Sequence, residues 1–298
     1  MTCFMDLITS LAGMKAFSRR VRSEGNKLGL VPTMGALHKG HLSLVGRAQE
    51  ECDAVVVSAF VNPAQFSLDE DFARYPRDLP ADTATLNPFR VDVLFSPSAV
   101  EMYRQGSETF VEPGSVATPL EGACRPGHFR GVATVVLKLF NIVVPNVAYF
   151  GQKDFQQTLV IQRLIEDLNL DVRLVVCPIA REPDGLARSS RNAYLSPSER
   201  QAASVLYRSL WRAEELFGAG ETKAERILEE MRKILDAEPR ANIDYVALVE
   251  PTRLQPIALV TPGSVALVAA RIGGIRLIDN TFLGSPGGHV DPRRAGSP

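Results

Sequence analysis

Between residues 27 and 178, short apolar runs rich in β-branched residues alternate with longer segments of helical periodicity. This alternation is typical of a parallel sheet that is covered by helices. We therefore predict an α/β domain with a Rossmann-like, doubly wound parallel sheet of five strands. The predicted strands are residues 28–33, 54–61, 91–96, 147–150 and 172–177, and the predicted helices are residues 40–52, 132–143 and 153–169.

The pattern changes after Ser196 and Pro197. Two helices are predicted over residues 198–217 and 222–237, because the glycines between them break the helical pattern. Alternating runs then indicate a small antiparallel sheet made of residues 244–249, 265–270 and 275–280. We predict a first domain over residues 1–186, a smaller C-terminal α+β domain that forms a lid over residues 187–284, and a disordered tail over residues 285–298.

Charge and composition favour a cytoplasmic protein that binds neither nucleic acid nor a membrane. The 33 basic and 34 acidic residues nearly cancel, so no global field attracts polyanions. Residues 1–20 have the pattern of an amphipathic helix, and no apolar run reaches membrane-spanning length. The four cysteines are far apart, which suits reduced thiols better than a zinc site or a disulfide framework.

The segment PTMGALHKGH at residues 32–41 follows a predicted strand and enters a predicted helix. This is where open α/β sheets bind ligands. His38 and His41 would face the same anion, Gly40 would let a phosphate approach the backbone, and the helix N-terminus would add N–H donors. Alternatively, the two histidines form half of a metal site or are ordinary surface residues. A metal site would need a second pair of ligands, which neither His128 nor the scattered cysteines provide.

The H-x-G-H loop resembles that of the nucleotidyl transferase superfamily, whose members attack the α-phosphate of ATP. Four further motifs narrow the resemblance: NPAQF at 62–66, RPGHFRG at 125–131, GQKDFQQ at 151–157 and DGLARSSRN at 184–192. In this order, from about residue 27 to residue 283, they are similar to the motifs of the pantothenate synthetases. The resemblance implies an enzyme that uses ATP and Mg²⁺ to convert pantoate to pantoyl adenylate. Attack by β-alanine then releases AMP and gives pantothenate. A homodimer is also implied.

The resemblance also implies the site residues. The catalytic residues are His41, usually assigned as proton donor, His38, Lys153 and Arg191. The residues implied to bind ATP are Met34, Gly35, Ala36, Leu37, His38, Lys39, Gly40, His41, Gly151, Gln152, Lys153, Asp154, Ala180, Arg188, Ser189, Ser190 and Arg191. Whether His41 transfers a proton or acts electrostatically stays open at this stage.

Pantoate and β-alanine are implied to contact Gln65, Gln157, Thr33, Asn62 and Arg125. The neutral amides of the two glutamines can donate to a carboxylate without neutralising it as a nucleophile. Asp82 matches an acidic position assigned to Mg²⁺ in the family, although magnesium relies mainly on phosphate oxygens.

Arg188 departs from the family, which usually has methionine or another apolar residue at this position. Either its guanidinium lies beside the nucleotide, or only its backbone contacts ATP and the side chain turns to solvent. We favour the second interpretation, because the rest of the motif is intact.

Two other functions compete with this prediction. An enzyme of the same superfamily that transfers AMP to a phosphorylated acceptor would need extra basic residues, whereas Asn62, Gln65 and Gln157 suit a carboxylate and hydroxyls. A non-catalytic nucleotide sensor is disfavoured, because both histidines of the loop, Lys153 and Arg191 are present.

Overall fold

The computed structural model describes residues 5–67 and 71–284, so the predicted tail over residues 285–298 lies outside the described residues. The described chain packs as two compact units. The first comprises the residues up to Gln152 together with Gln156–Pro178. The second comprises Lys153–Phe155 and the residues from Ile179 onward. The predicted division of the chain lies after residue 186.

The first unit is built on a six-stranded sheet in the order β1-β4-β3-β2-β5-β6, in which every neighbouring pair is parallel. The strands are β1 (Asp6–Ile8), β2 (Leu28–Thr33), β3 (Ala54–Ala59), β4 (Val93–Phe95), β5 (Val147–Gly151) and β6 (Arg173–Cys177). The helices are α1 (Leu11–Ser23), α2 (Lys39–Glu51), α3 (Leu79–Leu86), α4 (Ala99–Met102), α5 (Glu121–Cys124), α6 (His128–Val143) and α7 (Phe155–Asp167).

The predicted α/β class is confirmed, with corrections to several elements. The sheet has six strands rather than five, because residues 6–8 pair with β4. The helix predicted over residues 1–20 therefore starts only at Leu11, where the Ser10 side chain accepts from the Gly13 amide. A three-residue strand is too short to produce a periodic signal. Helix α6 begins at His128, before the predicted start at residue 132.

The connections from β2 and β5 determine where a ligand can bind. The two strands are neighbours, but from β2 the chain proceeds to β3 and β4 on one side, whereas from β5 it proceeds to β6 on the other. Connections that diverge in this way leave a crevice outside the carboxyl ends of the strands. The residues that follow Thr33 are therefore at the expected ligand-binding edge of the sheet.

The second unit packs three helices against an antiparallel sheet in the order β7-β8-β9. The strands are β7 (Ala241–Val249), β8 (Val265–Ile272) and β9 (Ile275–Phe282). The single helix predicted over residues 198–217 is two helices, α8 (Pro197–Ala203) and α9 (Val205–Gly218), followed by α10 (Ala224–Asp236). A core of fully buried apolar side chains, including Leu210, Ile227 and Val268, joins the helices to the sheet. Across the described residues, no helix combines the length and apolar character needed to cross a membrane.

Arg181 joins the segment after Pro178 to the rest of the second unit. Its guanidinium makes a bidentate pair with Asp279 of β9, at 2.6 and 3.0 Å, and also donates to the Gly185 carbonyl at 3.0 Å. It lies over the Tyr207 ring of α9, 4.9 Å from the centroid. The Asp279 side chain is only 2% exposed, so this carboxylate depends on Arg181 to compensate its lost hydration.

We predict that Arg181→Ala lowers the free energy of unfolding of the second unit by about 3–5 kcal/mol, because it leaves a buried carboxylate unpaired. Arg226→Ala is the matched control, since its nearer partner Glu229 is half exposed and its second partner Glu230 keeps ion pairs with Arg212 and Lys233. The loss should therefore stay below about 1 kcal/mol. The fluorescence of Trp211 in α9, the only tryptophan of the chain, reports denaturant unfolding of this unit. Equal losses in the two variants would contradict the assignment.

Candidate active site

The loop between β2 and α2 has a backbone conformation that requires specific support. The Thr33 hydroxyl donates to the Ser58 carbonyl at 2.7 Å and accepts from the Gly35 amide at 3.1 Å. Gly35 and Ala36 both have positive φ angles, 79° and 51°. The left-handed region suits glycine but costs an alanine roughly 1–2 kcal/mol. Thr33, predicted to bind substrate, thus also fixes the start of this loop.

Asp82, in the first turn of α3, supplies most of that support. Its two carboxylate oxygens accept from the backbone amides of Ala36 and Leu37 at 3.1 and 2.8 Å. Burial raises the pKa of this carboxyl, while the two amide hydrogen bonds lower it. A Cβ at Gly35 would lie 2.8 Å from one carboxylate oxygen, so glycine lets the carboxylate approach the loop. Asp82 therefore holds the backbone of the predicted ATP loop.

The same contacts do not support Asp82 as a magnesium ligand. Its side chain is almost fully buried, at 4% exposed, and each oxygen already accepts a backbone hydrogen bond. Within residues 5–67 and 71–284, no group of three or more His, Cys, Asp or Glu side chains forms a metal cage.

His38 and His41 cap helix α2 reciprocally. The Nδ1 atom of His38 accepts from the Gly40 amide at 3.1 Å, and the Nδ1 atom of His41 accepts from the His38 amide at 3.4 Å. Their rings stack with centroids 4.0 Å apart. A nitrogen that accepts a hydrogen bond carries no proton, so each neutral imidazole carries its proton on Nε2. The loop thus brings two Nε2–H donors together at the N-terminus of a helix.

The other predicted residues of this loop contribute in different ways. Leu37 contributes to the loop through its backbone, because its side chain packs against the core of the first unit. Met34 and Gly35 line a cavity of about 310 Å³ together with Asp82. Lys39, the first residue of α2, is exposed.

Asn62 and Gln65 lie after β3, and Asn62 does not present a free group to a substrate. It is 1% exposed, and its Nδ2 atom donates to Gln65 Oε1 at 3.0 Å and to the Gly131 carbonyl at 3.1 Å. Its Oδ1 atom accepts from the Ala64 amide at 3.3 Å and from the Tyr103 hydroxyl at 2.8 Å. The predicted direct contact between Asn62 and a substrate is therefore replaced by contacts that hold Gln65.

Gln65 lines a second cavity, of about 530 Å³, near Arg125 and His128. The imidazole of His128 lies between a guanidinium nitrogen of Arg125, 3.0 Å from Nε2, and the Gln65 carbonyl, 2.9 Å from Nδ1. Because a guanidinium can only donate, Nε2 of His128 must accept and Nδ1–H must donate. Arg125, predicted to bind substrate, is thus linked through His128 to the backbone of Gln65.

The adjacent residues Gln156 and Gln157 at the start of α7 are used differently. Gln156 is 2% exposed; it donates to the carbonyls of Val116 and Pro119 and accepts from the Glu121 amide. All hydrogen-bonding groups of the Gln156 side chain thus hold the loop at residues 116–121. Gln157, the predicted pantoate ligand, is half-buried.

Gly151 ends β5, and Gln152, Lys153 and Asp154 form the following 3-10 turn. In the second unit, the Lys153 ammonium lies 3.4 Å from the Asp154 carboxylate, and the Lys153 carbonyl accepts from Asn280 Nδ2 at 3.0 Å. Asn280, which is fully buried, therefore fixes the backbone of a predicted phosphate ligand.

Within the second unit, the segment at residues 188–191 that is predicted to bind ATP begins after a short bridge between Arg181 and Ala187. Ala180 accepts from the Arg188 amide at 2.9 Å, which holds the backbone at both predicted ATP contacts. The Arg188 guanidinium pairs with Glu182 at 2.8 Å and is 20% exposed. Our expectation that this side chain turns to solvent is therefore wrong, because an acidic neighbour pairs with it.

Ser189, Ser190 and Arg191 open a 3-10 turn, in which the Ser189 hydroxyl accepts from the Arg191 amide at 3.3 Å. Asn192 then donates to the Ala187 carbonyl at 3.1 Å. These local bonds give the three predicted phosphate-binding residues a defined backbone.

Sequence reasoning missed the supporting roles of Tyr103, His128 and Asn280. His128 was part of a quoted motif, but its neighbours in the sequence do not include the Gln65 carbonyl that it binds. Tyr103 and Asn280 lie in no motif that we identified. Their roles depend on contacts 41 and 127 residues away in the chain, and no local pattern reports these.

Comparison with known proteins assigns the family. Residues 6–282 match the family model described as pantoate-beta-alanine ligase. Over 256 residues the chain is 58% identical to a pantothenate synthetase from Roseiflexus castenholzii, covering 86% of this chain and 92% of that relative.

Two solved structures are also similar. Pantothenate synthetase from Thermus thermophilus superposes with a TM-score of 0.89 at 46% identity, covering 93% of this chain and 99% of that one. Pantoate-beta-alanine ligase from Francisella tularensis, complexed with beta-gamma ATP and beta-alanine, gives a TM-score of 0.78 at 35% identity, covering 93% of this chain and 97% of that one. The family model spans nearly all the described residues, and the chain therefore belongs to the pantoate–β-alanine ligase, or pantothenate synthetase, family.

Proposed function

We propose that the enzyme condenses pantoate with β-alanine at the expense of ATP, through a pantoyl adenylate. In the first step, a pantoate carboxylate oxygen attacks the α-phosphorus, and the bond between that phosphorus and the α,β-bridging oxygen breaks to release pyrophosphate. In the second step, the amine of β-alanine attacks the acyl carbon, loses a proton and displaces AMP. The products are pantothenate, AMP and pyrophosphate.

The observation that carries this proposal is the loop that follows β2, whose conformation is held by hydrogen bonds. Asp82 fixes its backbone, and the reciprocal caps of His38 and His41 put the proton of each ring on Nε2. Donors held in advance of the reaction stabilise the negative charge that builds on the phosphate oxygens and pyrophosphate. This geometry favours neutral Nε2–H donors over imidazolium ions, because a doubly protonated ring could not accept either backbone hydrogen bond.

The side chains that we propose to bind the pantoate carboxylate are neutral. Gln65 and Gln157 donate to pantoate through amides, which leave the carboxylate's charge available for attack on phosphorus. Lys153, Ser189, Ser190 and Arg191 keep their proposed roles as phosphate ligands, with Arg191 as the permanent cation.

Magnesium would enter with ATP, as a complex of the triphosphate. A homodimer and a cytoplasmic location belong to the same proposal. The Francisella tularensis ligase, with its ATP analogue and β-alanine, supports ATP and β-alanine as substrates here.

Exchange of labelled pyrophosphate into ATP tests the function. We predict that exchange depends on pantoate and proceeds without β-alanine, because adenylate formation is reversible. His41→Ala should slow the exchange by about two to four orders of magnitude while the protein stays folded. Exchange that required β-alanine, or that proceeded equally without pantoate, would rule out an adenylate that forms before β-alanine reacts.

Replacement of Asp82 separates loop support from metal binding. In Asp82→Asn, one of the two backbone amides meets an NH₂ group instead of an acceptor. We expect kcat/KM for ATP to fall about ten- to a hundredfold, in line with the loss of a hydrogen bond to a charged group. The Mg²⁺ concentration for half-maximal rate should change less than about twofold, because Asp82 coordinates no metal in this proposal.

Asp78→Asn is the matched control for this variant. Asp78 is the N-cap of the same helix and accepts from the Ala81 amide at 3.0 Å, a role that asparagine fills equally well. Its activity should therefore match the wild type. If excess Mg²⁺ restored Asp82→Asn to full rate, Asp82 would be a magnesium ligand and the loop-support role would be wrong.

A further inference from the structure

Two backbone groups fix the orientation of the Asn62 amide. Its Nδ2 faces the Gly131 carbonyl, and its Oδ1 faces the Ala64 N–H. A backbone carbonyl can only accept and a backbone N–H can only donate, so exchanging the two ends of the Asn62 amide would break both contacts. Asn62 therefore has a single orientation that does not depend on any ligand.

Tyr103 strengthens the same orientation. Its hydroxyl donates to Asn62 Oδ1 at 2.8 Å, and burial raises its pKa to about 12, although the bond to Asn62 acts in the opposite direction. The phenol thus remains a donor throughout the neutral range. The ring lies 6.4 Å from that of Phe60, with which it packs in a tilted arrangement.

The orientation of the Asn62 amide in turn fixes the orientation of the Gln65 amide. Because Asn62 offers an NH₂ group at 3.0 Å, Gln65 must direct its Oε1 toward it. Rotating the Gln65 amide by half a turn would place two NH₂ groups in contact. The Gln65 Nε2 is therefore the end that faces away from Asn62, toward the Met34 sulfur at 3.1 Å.

The backbone of Gln65 is held as well. Nδ1–H of His128 donates to its carbonyl, and Arg125 fixes the tautomer of His128 from the other side. The segment also packs closely on α6, since a Cβ at Gly131 would lie 2.1 Å from the Ala64 carbonyl oxygen. The backbone of Gln65 therefore has no room to shift, and its side-chain amide has no partners that would allow the opposite orientation.

We propose that Tyr103 and Asn62 are positioning residues that make Gln65 present its NH₂ group to the substrate. This inference rests on the proposed function, in which the group that meets Gln65 is the carboxylate or a hydroxyl of pantoate. A fixed donor selects substrate groups that accept hydrogen bonds and rejects those that only donate, because a buried donor facing a donor is left unsatisfied. A preference for substrate groups that carry an acceptor oxygen over groups that only donate, such as an ammonium, is thus set by Asn62 and Tyr103, neither of which contacts the substrate in this proposal.

A double-mutant cycle tests this relay, in which Tyr103 and Asn62 orient Gln65. Asn62→Asp is nearly isosteric but cannot donate to Gln65, which must then turn its NH₂ group inward and present its carbonyl oxygen to the substrate. We expect KM for pantoate to rise at least about fiftyfold and KM for ATP to change less than about threefold. In a Gln65→Ala background, Asn62→Asp should add less than about threefold, because no amide remains to be oriented. If the two losses multiply, Asn62 contacts pantoate directly and the relay is wrong.

Tyr103→Phe provides a milder variant, in case Asn62→Asp does not fold. We expect it to raise KM for pantoate about three- to tenfold with KM for ATP unchanged, the loss of one hydrogen bond. Tyr149→Phe is the matched control; its hydroxyl contacts Glu51 and Cys52 instead, and KM for pantoate should stay within about twofold. An unchanged KM in Tyr103→Phe would overturn the role of Tyr103.

Failure of the proposed function would look different. If calorimetry with an ATP analogue that has a non-cleavable α–β bond showed no pantoate binding to the wild-type enzyme, the function and the relay would both be wrong. If the wild type bound and used pantoate but the cycle was additive, only the relay would be wrong.

Discussion

The carboxylate of Asp82 holds the loop on which the rest of the site depends. Ala36 adopts a left-handed backbone conformation that costs a non-glycine residue roughly 1–2 kcal/mol. Hydrogen bonds to a charged group contribute about 1.5–3 kcal/mol each, so the two bonds from Ala36 and Leu37 more than offset that cost. The loop conformation then determines where α2 begins, and its first turn brings His38 and His41 together.

Around Asn62 and Gln65, the polarity of the backbone determines the orientation of the side chains. The Gly131 carbonyl and the Ala64 amide orient Asn62, and Asn62 orients Gln65. In the loop after β2, the amides of Gly40 and His38 determine which nitrogen of each histidine carries the proton. In both places uncharged donors are fixed before any ligand binds, which is how preorganised sites stabilise developing charge without reorganisation.

The sequence predicted the parts of the fold that have a long periodic signal. The parallel sheet, the small antiparallel sheet and the helix after the H-x-G-H motif were all expected from alternation and periodicity. The three-residue strand β1 was missed because it is too short, and the break between α8 and α9 at Ser204 interrupts an otherwise continuous helical pattern. Ordered motifs indicated the candidate site and, through the family resemblance, Gln157 as a pantoate ligand. Periodicity alone does not separate Gln157 from its neighbour Gln156, whose side chain is saturated by contacts with the loop at residues 116–121.

If the pantoate carboxylate attacks the α-phosphorus of ATP, one of its oxygens must remain on that phosphorus. Pantoate labelled with oxygen-18 in its carboxylate would be converted with ATP and β-alanine, and the products would be analysed by mass spectrometry. We expect one labelled oxygen in AMP, because the oxygen that bonds to phosphorus stays there when the amide forms. Label in inorganic phosphate or pyrophosphate, with none in AMP, would contradict the adenylate and indicate attack at another phosphorus.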